Sequence, residues 1–230
     1  MKTLMKTIRF KFLICLAVLA LLITSLILGI KLIYGAAGST WTQATSAAAW
    51  PARDAHTSVV FNNKMWVIGG YDGAYRNDVW YSADGATWTQ ATSAASWSVR
   101  YAFTSVVFDY KIWIIGGVDC SNNRKNDVWY SSDGANWTQA TSAASWSARY
   151  IHTSVVFDNK MWVIGGYDGA RKNDVWYSSN GANWTQATGS APWSARYVHT
   201  SVVFNNKMWV IGGYDGGYKN DVWYSPSDIL

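Results

Sequence analysis

The 230-residue sequence contains no glutamate; all fourteen acidic residues are aspartate. Long solvated helices lean on Glu and Lys, so this absence points to strands and turns. It also removes the Glu side chains that many hydrolases use as acid or base. Charged residues of both signs make up only 14% of the chain, against a usual ~25%. A chain so poor in charge yet 16% aromatic is not disordered. There are three prolines and two cysteines, Cys15 and Cys120. Two such cysteines form no internal disulfide framework, so packing must hold the domain together. GxSxG, HExxH, P-loop and CxxC motifs are absent.

The net charge of +5 is misleading as a whole-chain number. Lys2, Lys6, Arg9, Lys11 and Lys31 carry five of the nineteen positive charges, and from Ser39 onward fourteen Lys or Arg balance fourteen Asp. The basic balance is therefore a property of the leader, and no nucleic-acid partner is expected. Phe12 to Ile30 is a run of nineteen uncharged residues, and Leu32-Ile33-Tyr34 continues it beyond Lys31. As a helix the run spans about 28 Å, enough to cross a hydrocarbon core of ~30 Å. Residues 1–34 are expected to be a signal anchor or signal peptide and 35–39 a short linker. The basic flank stays inside, residues 12–34 meet the membrane, and the rest is exported. The alternative is a secreted protein cleaved near Ala37, where Gly35-Ala36-Ala37 offers small residues.

What the chain has in abundance is repetition. Gly-Gly pairs recur at 69–70, 116–117, 165–166 and 212–213, at spacings of 47, 49 and 47. The segment WTQAT begins at Trp41, Trp88, Trp137 and Trp184, and NDVWY places a Trp at 80, 129, 176 and 223. Four Trp per unit account for all sixteen. A period in the high forties is that of a propeller blade. Within a unit, His56–Phe61 and Lys64–Gly70 flank Asn62-Asn63, which suits a two-residue hairpin. Asp78–Ser82 follows, and Asp84-Gly85 turns into Thr87–Ala91. Met65, Trp66, Val67 and Ile68 are consecutive, so the second strand is expected to be buried on both faces, with Trp66, Trp113, Trp162 and Trp209 in the core.

An Arg and His ahead of the first strand, a Gly-Gly pair ending the second and a spaced aromatic pair after it resemble the kelch repeat, over about residues 40–225. The resemblance implies an all-β, kelch-type β-propeller over residues 40–230, of four blades of four antiparallel strands. One N-terminal transmembrane or signal helix precedes it. The chain begins with a lone fourth strand at Trp41 and ends after a third strand at Ser225, so the ring is expected to close by pairing residues 40–45 with the strand around Trp223. Kelch propellers include binding modules and enzymes, so function must come from the site.

The second-to-third loops (71–77, 167–173, 214–220) and the fourth-to-first loops are expected to be long and to share one face, where binding residues usually sit. That face carries Arg53, Arg100, Arg149, Arg196, Tyr101, Tyr150, Tyr197, Tyr71, Tyr167 and Tyr214, with Asp72, Asp119, Asp168 and Asp215. Arg and Tyr anchor protein or sugar partners well. Trp50, Trp97, Trp146 and Trp193 lie in the fourth-to-first loops and are candidates for stacking on a ligand. Residues repeated in every unit equally fit blade packing. His56, His152 and His199 are equivalent, with Phe103 in the second unit. Three His near an axis can ligate Zn or Cu, but kelch repeats carry this His in a structural role, and no metal or cofactor is expected. The expected function is a non-catalytic, exported binding module for a protein or glycan. The alternatives are a carbohydrate-active or copper-oxidase-type enzyme on the same fold, and a structural assembly subunit.

Overall fold

The structure is a computed structural model and describes residues 38–225. The leader, its cleavage point and Pro226 lie outside the described residues. Two compact units are present, 1–44 and 45–230. Residues 38–44 of the first contain no strand. Among the described residues all regular structure belongs to the second and is β.

Four sheets follow one another along the chain. The first blade is β1 (Thr57–Phe61), β2 (Lys64–Tyr71), β3 (Tyr75–Ser82) and β4 (Thr89–Thr92), paired antiparallel in that order. A two-stranded ribbon, β5 (Arg100–Tyr101) with β8 (Val118–Asp119), flanks the second blade. That blade is β6 (Thr104–Phe108), β7 (Lys111–Ile115), β9 (Val128–Ser131) and β10 (Thr138–Thr141). The third is β11 (Thr153–Phe157), β12 (Lys160–Tyr167), β13 (Arg171–Ser178) and β14 (Thr185–Thr188). The fourth has three strands, β15 (Thr200–Phe204), β16 (Lys207–Tyr214) and β17 (Tyr218–Ser225).

Local chemistry sets the turns. Asn62 and Asn63 have φ of 48° and 55°, as a two-residue hairpin matching strand twist requires. The Gly-Gly pair does not end the second strand in three of the blades. Between Ile68 and Gly70 the register slips by one residue, and β2 then continues to Tyr71. Gly70 needs φ of 101°, and a Cβ there would lie 2.6 Å from the Asp54 carbonyl. The loop expected at 71–77 thus shrinks to Asp72–Ala74. Conversely, Asp84-Gly85 is no two-residue hairpin. Residues 83–88 form a compact loop in which Asp84 Oδ1 accepts the N–H groups of Ala86 and Thr87, and Ser82 Oγ that of Gly85.

Three apolar clusters lie between successive blades. The first joins Phe61, Trp66, Ile68 and Val79 of the first blade to Phe103, Ile112, Ile114 and Trp137 of the second. The second repeats it, with Ile115 and Val128 against Met161, Val163 and Trp184. Each tight loop also covers the preceding blade. A Cβ on Gly134 would lie 2.0 Å from the Trp66 ring, and on Gly181 2.1 Å from Trp113. Trp66 and Trp113 are therefore buried, while Trp162 and Trp209, which no later loop covers, are only partly so. Gly134→Ala should cost about 1–3 kcal/mol by overpacking. Gly73→Ala, also at positive φ but with nothing within 4 Å, is the control. Urea midpoints that shift equally would refute the contact.

The third cluster lacks a counterpart of Trp137 and Trp184. In its place is a cleft of 440 Å³ lined by Trp162, Val175, Trp193, Met208 and Trp223.

Around the axis the blades are stitched by backbone bonds: Ala102 N donates to Ala55 O, Ile151 N to Ala102 O and Val198 N to Ile151 O. All four residues sit at positive φ, which is costly for β-branched Ile151 and Val198. Side chains repeat the stitching: Thr57 Oγ1 meets Ser105 Oγ at 2.5 Å, Thr104 meets Ser154 at 2.6 Å and Thr153 meets Ser201 at 2.5 Å. Neither kind of link joins the fourth blade to the first. The expected pairing of residues 40–45 with the strand around Trp223 is not among the described strand pairings. Strand counting supplied four of each type, but closing a ring also needs the last blade to meet the first. The described propeller is an arc of four blades whose last blade has three strands.

Candidate functional site

The four arginines expected on the binding face are framework. Arg149 lies in the connection from β14's predecessor blade into β11, and its side chain is fully buried. Its Nη1 donates to Asp174 Oδ1 at 2.6 Å and to Gly165 O at 3.0 Å, and its Nη2 to Asp174 Oδ2 at 2.8 Å. Nε binds Ser147 O. Arg53, Arg100 and Arg196 make the same fork with Asp78, Asp127 and Asp221 and hold Gly69, Gly116 and Gly212. The guanidinium thus clamps the carbonyl at the Gly-Gly bulge to the third strand. Burial alone would raise the Asp174 pKa, but the Arg149 bond and charge bring it below the usual carboxylate range.

The loop tryptophans are framework too. Trp97 and Trp146 are 1% exposed and so closed to a ligand, and Trp193, 6% exposed, meets only the cleft at the third junction. Each of the first three packs edge-on against the Trp before its blade's fourth strand: Trp50 on Trp88, Trp97 on Trp137, Trp146 on Trp184. The guanidinium three residues on lies 5.9 Å from the ring at all four loop Trp positions. The expected division is met on one side only: Trp66 and Trp113 are buried as expected, but the loop Trp side chains are packed into the framework as well.

His152 and His199 are buried wedges between blades. Their Nε2 atoms pair with Thr104 and Thr153 Oγ1 at 3.0 Å, and their rings pack on Gly116 and Gly165. Phe103 fills the same space against Gly69, so the position calls for a flat ring of this size. His56 is exposed. Burial, then Arg149, pushes His152 down to about 3, and burial, then Arg196, pushes His199 down to about 4. Among the described residues no three His, Cys or Asp side chains are grouped to hold a metal.

The tyrosines remain on the loop face. Tyr150 bridges Tyr167 and Tyr197 bridges Tyr214 through backbone bonds, drawing the two loop sets together. The rings form a belt of two runs: Tyr71, Tyr75 and Tyr101 in mutual contact, and Tyr150, Tyr167, Tyr197, Tyr214 and Tyr218 each in contact with the next. Tyr71 is 40% exposed and Tyr218 92%. The aspartates between them are tied down: Asp72 to Arg76, Asp119 to Lys125, Asp168 to Lys172 and Asp215 to Lys219.

Two cations, Arg124 and Arg171, complete the face. Arg124 lies 5.9 Å from the Tyr150 ring and 5.4 Å from Tyr167, and Arg171 5.4 Å from Tyr214. Arg124 Nε has no hydrogen-bond partner. Beside it opens a cleft lined by Asn122, Asn123, Ser147 and Asp168. Arg124, Arg171, Tyr75 and Tyr218 all occupy positions that differ between units, and that difference was the available signal. A family model described as the KLHDC2/KLHL20/DRC7 Kelch-repeats domain matches residues 32–213. A search of curated proteins finds no match to the chain.

Proposed function

The chain belongs to the Kelch-repeat family, and we propose that it is a non-catalytic module that holds a protein partner on its tyrosine-belted loop face. The observation that carries this reading is the tyrosine-lined face itself, with Arg124 set over two of its rings. Tyr and Arg are the residues that most often dominate binding energy when they are rigidly presented. Here they stand on a framework already satisfied by its own Arg–Asp clamps. The ion-paired aspartates of the same face are poorly suited to acid–base work, which favours binding over catalysis.

The site is placed outside the cell in this proposal. Residues 12–34 carry the chain to a membrane with the basic N-terminus inside and the propeller outside; cleavage near Ala37 would instead release it. Amino-terminal sequencing of the mature protein decides between the two.

The binding reading is tested on the full chain against an array of exported proteins and an array of glycans. A retained protein should lose roughly 10-fold or more in affinity on Arg124→Ala or Tyr71→Ala, with the melting temperature unchanged. Glycan retention sensitive to the same two variants would replace protein by carbohydrate as the ligand class. Retention indifferent to both variants would dismiss this face.

A further inference from the structure

The two ends of the arc are complementary to each other. Every internal junction sets the trailing face of one blade on the leading face of the next, using the same residue positions each time. On the second blade the trailing face includes Ile115 and Val128, both 0% exposed. Their counterparts on the fourth blade, Ile211 and Val222, are 37% and 54% exposed, and Phe204 is 61% exposed where Phe108 is 7%. The leading face shows the converse. Met161 is 0% exposed, whereas Met65 of the first blade is 41% and Val60 71%. Apolar side chains chosen for a junction are left in water at both ends.

The polar stitching is unfinished in the same places. The backbone ladder runs from Ala55 through Ala102 and Ile151 to Val198, so the Val198 carbonyl lacks the donor that its three predecessors have. Among the described residues no N–H of a further blade reaches it. Thr57, Thr104 and Thr153 each bond the serine of the next blade, whereas Thr200 has no such serine, and Ser58 no such threonine. Gly69, Gly116 and Gly165 each face a ring of the following blade; Gly212 faces none, and His56 stands exposed with no glycine before it.

We propose that two copies of this chain meet head to tail at both ends and close one eight-blade propeller. The fourth blade of each copy then takes the place of the missing predecessor of the other's first blade. Ala55 N–H meets the partner copy's Val198 carbonyl, His56 covers its Gly212, and Ser58 meets its Thr200. The two new junctions repeat the three internal ones and are related by a two-fold axis, so no end is left over. Propellers close with about four to eight blades, and two copies of four reach that range while three would exceed it. The proposal concerns the blade ends and is independent of what the tyrosine belt binds.

The full chain, purified in detergent, should show twice the protomer's protein mass by light scattering once detergent is subtracted. Val60→Asp places a charge at a site exposed in a lone arc but buried in the closed ring. It should return the mass to one protomer without lowering the melting temperature of that arc. In a background of Cys15→Ser and Cys120→Ser, the pair Ser58→Cys and Thr200→Cys should oxidise to a band at twice the protomer mass. A cross-link within one protomer would show that a chain's own ends meet, and a ladder of higher multiples an open filament. Either result, or a one-protomer mass for the unmodified chain, would overturn the proposal, as would a Val60→Asp mass that stays doubled.

Discussion

Arg149→Ala should lower unfolding stability by about 3–5 kcal/mol, the usual cost of breaking one side of a buried pair. The size follows from what is left behind. The Asp174 side chain is 12% exposed and would keep only the Trp176 indole N–H as a donor, at 2.8 Å. Gly165 O and Ser147 O would lose their donor as well. Arg149→Lys keeps the charge but not the two-pronged geometry, so it should recover only part of the loss. Arg196→Ala should cost less, because Asp221 at the end of the arc is 37% exposed and water screens it. Replacing both Arg149 and Asp174 by apolar residues of similar volume should be milder than Arg149→Ala alone, since no orphaned charge remains. Denaturant unfolding of the four variants measures the order. A loss under about 1 kcal/mol for Arg149→Ala would mean that the clamp is not what fixes the bulge to the third strand.

The same clamp explains why the site was only half legible. The repeat, its period and the Asn62-Asn63 hairpin follow from turn chemistry and β-branched runs, and they led directly to a four-bladed kelch fold. The functional face was read from loop residues, and there a repeated Arg looks the same whether it greets a ligand or an internal Asp. What separates the cases is the path of the second strand. Because Gly69-Gly70 takes up a bulge and lets β2 run on to Tyr71, the supposed loop becomes strand. Asp78, now inside β3 and not at its start, pairs with Arg53. Strand spacing in sequence contains no record of a bulge, only of the glycines that permit one.

Variation between units carried more than repetition did. Arg124, Arg171, Tyr75 and Tyr218 sit where the units differ, just before or at the start of the third strands, on a constant frame. Ring closure was illegible for another reason. Counting strands gives complementary pieces, but the angle between blades depends on side chains packed from both sheets. That angle decides whether four blades meet or stop as an arc.

Between pH 7.5 and pH 5 the propeller should lose about 4 kcal/mol of stability, about 2 kcal/mol for each of His152 and His199. Both rings are 4% exposed, and both are held well below the ordinary 6.5, at about 3 and about 4. Burial is the main cause for each; Arg149 and His199 add to it at His152, where Asp174 opposes, and Arg196 adds to it at His199. The unfolded chain therefore takes up protons from near pH 6.5 downward while the folded chain does not. Stability is full above the unfolded value and falls as pH drops toward the folded values. The aspartates clamped by arginine have depressed pKa values and start to contribute only below about 4, so the window from 5 to 6.5 belongs mainly to these two histidines, with a smaller share from His56, which burial and then Arg53 also hold below the ordinary value. Phe103, which fills the equivalent space against Gly69, supplies the control: His152→Phe with His199→Phe should fold and remove most of the slope in that window, leaving the small part due to His56. Denaturant midpoints measured across it would contradict the wedge role if the native chain were already flat, or if the double variant kept the slope.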